Sequence, residues 1–129
     1  MGAVLNFAGR YEEAIQSLNK TIRLDPMGPA YYFPWLGHAY RGLGQYEAAI
    51  AEYKKALNRQ PDNLFAHICL AATYSLAGHE QIARDEAAAV LRIDPDFSIK
   101  IFKKFILTYK DQDYRDNMVD ALRKAGLPD

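Results

Sequence analysis

Residues 44–50 read GQYEAAI, and the same pattern occurs in two further places: residues 9–15 read GRYEEAI and residues 78–83 read GHEQIA. The first glycines of the three copies lie at positions 9, 44 and 78, so the period is 35 residues and then 34. The prolines that follow the copies keep this spacing: they are Pro26, Pro61 and Pro95. A constant period of roughly 20–50 residues indicates stacked structural repeats, which typically form extended protein-binding surfaces.

The composition argues against several classes of protein. Of the 129 residues, 50% are apolar, which is enough for one packed domain. The 16 basic and 16 acidic side chains cancel, so we expect no nucleic-acid partner, which would favour a basic surface. No stretch approaches the ~18 apolar residues of a membrane span, and the N-terminus lacks a secretory signal. We therefore expect a cytoplasmic protein without membrane insertion, in which Cys69 is reduced and buried.

The middle repeat predicts a pair of helices. The first helix is apolar at i, i+3, i+4 and i+7, and these positions hold Phe33, Leu36, Gly37 and Tyr40. Because a helix tolerates proline in its first turn, Pro34 places the start near Phe33, and Gly42 and Gly44 end the helix. The second helix is expected over residues 46–58, since the following proline forbids its continuation.

The other repeats predict the same pair. In the third, the first helix begins near Asn63, with Asp62 or Asn63 as N-cap. The second helix is expected over residues 80–92, and its inward residues are Ile82, Ala83, Ala87, Val90 and Leu91. In the first repeat the second helix, residues 11–23, is complete, but only residues 3–8 of the first helix remain. We therefore expect the chain to be a fragment of a longer protein.

The repeat stops after Pro95, but the helical pattern does not. One further helix is apolar on one side, at Phe97, Ile101, Phe102, Phe105 and Ile106, and basic on the other, at Lys100, Lys103 and Lys104. Asp113 can N-cap a last helix, which Gly126 and Pro128 end. This amphipathic pair is expected to cap the last repeat, because a stack of repeats needs a polar end.

The signature residues resemble the tetratricopeptide repeat, a helix–turn–helix of about 34 residues. The second repeat carries Leu36, Gly37, Tyr40, Gly44, Tyr46, Ala49, Tyr53, Ala56 and Pro61. The third carries Leu70, Ala71, Tyr74, Gly78, Ala83 and Pro95, and the first Gly9, Tyr11, Ala14 and Pro26. The resemblance implies an all-α, right-handed superhelix of about seven helices. Its repeats occupy residues 1–95 (an incomplete first repeat at 1–28, then 30–62 and 63–96), and residues 97–129 form C-terminal capping helices.

The same resemblance implies a ligand site, because the first helices of such repeats line a concave groove. The groove-facing positions hold Asn6, Tyr31, Pro34, His38, Arg41, Phe65, Ile68, Ala72 and Ser75. The lysine and asparagine positions that grip the C-terminal carboxylate of chaperones are occupied here by Pro34, His38, Ile68 and Ala72, which argues against that ligand. If His38 faced an acidic ligand group, binding would strengthen below about pH 6.5.

No catalytic residue, cofactor-binding residue or metal ligand is predicted. His38, His67 and His79 form no i, i+4 pair with each other or with an acid. The chain has no glycine-rich phosphate loop, and Cys69 has no base near it in sequence. We therefore expect no enzyme activity and no cofactor.

The leading hypothesis is a non-catalytic protein-interaction module that binds a peptide or helix in the groove. The tail, in residues 94–98, 109–111 and 121–128, resembles the end of bacterial multidomain proteins in which tetratricopeptide repeats follow a class III adenylate or guanylate cyclase domain. This resemblance implies an alternative, the C-terminal regulatory or assembly region of a bacterial signalling enzyme. A self-assembly module is a third hypothesis. A homodimer is expected through the N-terminal end, where Leu18, Ile22 and the edge formed by Val4, Leu5 and Phe7 lack a full cover, or through the tail helices.

Overall fold

A computed structural model describes residues 10–28, 32–106 and 112–129. The described residues form seven helices and no strand, which confirms the all-helical prediction. In chain order the helices are α1 Tyr11–Leu24, α2 Tyr32–Gly42, α3 Tyr46–Arg59, α4 Leu64–Leu76, α5 Glu80–Ile93, α6 Ile99–Ile106 and α7 Gln112–Lys124. None of the helices seen in these ranges is both long and apolar enough to cross a membrane.

The helices pack as consecutive hairpins. Helix α2 packs against α3 and α4 against α5, as the two helices of one repeat do. Contacts of α1 with α2 and of α3 with α4 join neighbouring repeats. Helix α7 departs from this order, because it packs mainly against α4, three helices earlier, and to a smaller extent against α6.

The first helix of each described repeat ends on a left-handed glycine. Gly44 has φ +77° and Gly78 has φ +86°, a conformation that side chains with a Cβ rarely adopt. In both cases the next N–H donates back across the helix end, from Gln45 to the Tyr40 carbonyl and from His79 to the Tyr74 carbonyl, each at 2.9 Å. Gly126, with φ +98°, ends α7 in the same way. Local chemistry alone therefore stops these helices at the predicted places.

Small residues set the distance between paired helices. A Cβ added to Gly37 would lie 2.7 Å from the Tyr53 ring, so α2 and α3 approach each other as closely as a glycine permits. Fully buried alanines occupy the comparable crossings, at Ala49, Ala56, Ala71 and Ala83. Because protein interiors are close-packed, a larger side chain at these positions would force the helices apart.

Two apolar residues and one helix start differ from the expectation. Ile82 is 44% exposed, because the buried stripe of α5 runs through Ala83 and Ala87, about 100° around the helix. Ile101 is 55% exposed for the same reason, since α6 buries Phe102 instead. Helix α7 begins at Gln112, so Asp113 lies in its first turn and is not the N-cap.

Candidate functional site

The structure places seven of the nine predicted groove residues on two adjacent helices, and one of them, Pro34, is buried in the first turn of α2. Asn6 and Tyr31 lie outside the described residues. On the first helices of successive repeats, α2 carries His38 and Arg41, and α4 carries Phe65, Ile68, Ala72 and Ser75. The rings of His38 and Phe65 meet edge to face, with centroids 5.3 Å apart. The residues therefore belong to one continuous face, which we call the groove face.

Most of the groove face is covered by the chain itself. His38, Arg41, Ile68 and Ala72 are buried, whereas Phe65 and Ser75 are half-buried. The cover is α7, which lies along α4 and reaches α2, where Nη2 of Arg41 donates to the sulfur of Met118 at 3.4 Å. The sequence led us to expect an open groove, and the difference arises because α7 folds back over it. That these residues contact a partner stays a prediction.

Helix α7 covers the groove face with one apolar side. Its buried residues, with those that follow it, are Met118, Val119, Ala121, Leu122, Ala125 and Leu127. Among the side chains that the structure describes on α7, the exposed ones are polar or charged, namely Gln112, Asp116, Asn117, Asp120, Arg123 and Lys124. The tail is fastened near the start of α6, because the Ile99 N–H donates to the Pro128 carbonyl at 2.8 Å. The groove face therefore binds an amphipathic helix, whose apolar side is buried and whose polar side faces the solvent.

His38 lies at the centre of a buried polar cluster beneath this cover. Its Nδ1 is hydrogen-bonded to the Tyr53 hydroxyl at 2.7 Å, and its ring meets Trp35 edge to face at 5.6 Å. Burial lowers the pKa of His38 well below its usual 6.5, and the nearby Arg41 guanidinium lowers it further. The ring is therefore neutral at physiological pH, so it does not supply the positive charge that would strengthen the binding of an acidic group.

Cys69 belongs to the same cluster and is unreactive there. Burial raises the pKa of its thiol to about 11, although Arg41 and a hydrogen bond with Tyr53 oppose the rise. A thiol is nucleophilic only as thiolate, so Cys69 acts as a small apolar core residue. Among residues 10–28, 32–106 and 112–129, no group of three or more His, Cys, Asp or Glu side chains could hold a metal ion.

A pocket of about 520 Å³ lies beside the covered part of the groove face, and the sequence did not indicate it. Helix α4 forms one wall with Leu64, Phe65 and Ile68, and the chain from Asp94 to Phe102 forms the other. Phe65 connects the pocket to the cluster, because its ring lies 6.3 Å from that of Phe102 as well as against His38.

Two family models match the sequence. Residues 37–78 match the model described as TPR repeat, and residues 1–26 match the model described as tetratricopeptide repeat. No curated protein matches the chain in sequence.

Several solved structures share the fold. The crystal structure of MamA is 27% identical, with a TM-score of 0.70 over 96% of this chain and 71% of that one. The second TPR domain of human RPAP3, solved in complex with an HSP70 peptide, is 19% identical, with a TM-score of 0.71 over 96% and 88% of the two chains. YrrB, described as a TPR protein with an unusual peptide-binding site, is 24% identical, with a TM-score of 0.66 over 96% and 63%.

Proposed function

We propose that this chain, which carries tetratricopeptide repeats, is a non-catalytic protein-interaction module that binds a peptide or an amphipathic helix on its groove face. One observation carries the proposal: the groove face accepts the chain's own amphipathic helix, with Arg41 donating to Met118. Two proteins of similar fold, RPAP3 and YrrB, are described as binding peptides. Their similarity supports the assignment of the fold, whereas the function of this chain is inferred from the residues of its own groove face.

The chemistry of the groove face suits an apolar helix with small residues. Ala72 of α4 and Ala121 of α7 are both small and buried, which is compatible with a close approach of the two helices. Met118 of α7 supplies a flexible, polarisable side chain that adapts to an irregular surface. A partner helix with the same pattern would satisfy the groove face when α7 is displaced.

The proposal is tested by selecting binders from a random peptide library displayed on phage, with the whole chain as bait. Trp35 is the single tryptophan, and its ring lies against His38, so its fluorescence reports binding near the groove face. Ser75→Arg places a long side chain at the half-buried end of the groove face, and Ala88→Arg makes the same change on the exposed side of α5.

We expect Ser75→Arg to weaken the selected peptides at least about tenfold, roughly 1.4 kcal/mol, and Ala88→Arg to leave them unchanged. Circular dichroism must show that both variants keep the fold. Failure to select any peptide, or equal binding by both variants, would count against the groove face.

A second candidate is the C-terminal regulatory or assembly region of a bacterial, cytoplasmic signalling enzyme of the nucleotide cyclase type. This candidate is supported by the C-terminal tail, which resembles the end of such enzymes. The tail residues Ala121, Leu122 and Ala125 are buried, so the tail is part of the folded domain. A class III cyclase domain in the upstream reading frame would favour it, and further repeats there would favour the simple module.

A self-assembly role is a third candidate, favoured by Leu24 and Met27. These side chains are 77% and 86% exposed at the end of the first repeat. Two large apolar side chains in water at one place are typical of a contact surface. Light scattering on the wild type and on Leu24→Lys with Met27→Lys tests it: a concentration-dependent dimer should be lost in the variant, and a wild type that is monomeric at high concentration would exclude this role.

A further inference from the structure

The pocket between α4 and the chain from Asp94 to Phe102 is large, mostly apolar and open among the described residues. Its volume of about 520 Å³ falls in the range of roughly 300–1,000 Å³ that ligand pockets occupy. Leu64, Phe65 and Ile68 face Phe97, Ile101 and Phe102 across it. Because Ile101 keeps 55% of its surface in water, an apolar group that entered the pocket would gain from burying it.

The remaining lining is acidic. Asp94, Asp96 and Ser98 are the polar residues among those that line the pocket. Asp94 and Ser98 brace the loop, since Asp94 Oδ1 accepts the Asp96 N–H at 3.2 Å and Ser98 Oγ accepts the Ile101 N–H at 3.1 Å. No ion pair between described residues involves Asp94 or Asp96. The mouth of an apolar pocket therefore carries two carboxylates available to a cation.

We propose that this pocket is the anchor site of the interaction module and takes a bulky apolar side chain from a segment with a lysine or arginine beside it. The inference rests on the proposed function and names the chemistry of the partner. The apolar walls select the anchor, and the two carboxylates select the adjacent cation by charge complementarity. An acidic segment is disfavoured, because its carboxylates would meet those of Asp94 and Asp96.

The pocket also continues the groove face. Phe65 contacts His38 on its covered side and Phe102 on the pocket side. No residue of α7 that the structure describes lines the pocket, so a segment can be anchored there without displacing that helix and can extend from Phe65 towards the groove face.

The peptide selection on the whole chain tests the anchor site when four variants are added. Ile101→Lys puts a cation at the mouth of the pocket, and Asp96→Asn removes one carboxylate. The matched controls are Ile82→Lys and Asp85→Asn, which make the same changes at exposed positions of α5. We expect the selected peptides to share a bulky apolar residue next to lysine or arginine. Ile101→Lys should weaken them at least tenfold and Asp96→Asn about threefold, with the controls unchanged.

Each other outcome overturns the anchor site, and two of them separate it from the proposed function. Peptides that bind wild type and Ile101→Lys equally, but lose binding to Ser75→Arg, leave the interaction module standing and remove the pocket as its anchor. Enrichment of acidic peptides would likewise leave the interaction module standing and exclude the pocket as its anchor site. Failure to enrich any peptide removes the module together with its anchor.

Discussion

His38 and Tyr53 join the two helices of the middle repeat through a buried hydrogen bond of 2.7 Å between Nδ1 and the hydroxyl. The Tyr53 ring is fully buried, and it also fills the space that Gly37 leaves between the helices. One tyrosine therefore fixes both the spacing of the repeat and the orientation of a groove-face side chain. Because this bond is buried, we expect substitutions at His38 to lower the free energy of unfolding more than they affect partner binding.

The free energy of unfolding should decrease as the pH falls below about 6.5, because of His38. Its pKa is lowered in the folded chain, so between that lowered pKa and 6.5 the unfolded chain binds the additional proton. The stabilisation is thus complete above pH 6.5 and is lost as the pH falls through the folded pKa. Urea unfolding between pH 7.5 and pH 5.5 measures it, and His38→Gln should flatten this dependence, whereas His79→Gln should not. An equal slope in the His38 variant would show that other groups cause the effect.

Gly37→Ala should destabilise the fold although alanine favours helices more than glycine does. The added methyl would lie 2.7 Å from the Tyr53 ring, which is fully buried and cannot move aside. We expect a loss of about 1–3 kcal/mol. Gly42→Ala should behave alike, because its methyl would meet the buried Tyr11 ring at 2.5 Å. Thermal and urea unfolding should show a loss for both variants, and an unchanged or raised stability of either would contradict the account.

Arg41 and Met118 should be energetically coupled. Met118→Ala is expected to cost about 2–5 kcal/mol, since the side chain is buried between α7 and the groove face. In a double-mutant cycle with Arg41→Ala, the coupling should reach about 0.5–3 kcal/mol. Met118→Ala combined with Leu18→Ala, a buried residue of α1, should be additive. Additivity of the Arg41 pair would mean that the contact between α7 and α2 contributes nothing to stability.

His67 should be worth more to stability than His79, although both pair with a glutamate. His67 is buried, with Nδ1 2.6 Å from Glu86 Oε2 and Nε2 2.9 Å from the Pro61 carbonyl. His79 is exposed and lies 3.2 Å from Glu47. Removing the two part-buried His67 bonds with His67→Phe should cost about 1–3 kcal/mol, because Glu86 and the Pro61 carbonyl lose their partner. His79→Phe should change stability by less than about 1 kcal/mol, and chemical unfolding of both variants compares them directly.

The helix ends were predictable because they depend on local chemistry. Gly44 requires a positive φ, and the predicted N-cap Asn63 accepts the Ala66 N–H at 3.1 Å, so each residue alone specifies its turn. The small residues at the crossings were predictable through the repeat period. Ile82 and Ile101 were placed wrongly because an apolar residue beside the buried stripe cannot be told from one within it by periodicity.

The site could be predicted only in part. The positions of His38 and Phe65 on one face followed from the resemblance, because the family aligns the first helices of successive repeats. The cover by α7 did not follow, since an amphipathic pattern shows that one side of a helix is buried and not against which surface. The pocket depends on where α6 comes to lie against α4, so no stretch of sequence encodes it by itself.

The fold-back of α7 also sets the order in which surfaces appear during protein synthesis. Helix α4 ends at Leu76 and α7 at Lys124, so the groove face is translated well before its cover. At about 5–20 residues per second, the ribosome takes roughly 2–10 s to add the intervening residues. During that interval the nascent chain presents the groove face uncovered. A partner made nearby can occupy the groove face in that time, whereas one that arrives after translation must compete with a helix already in place.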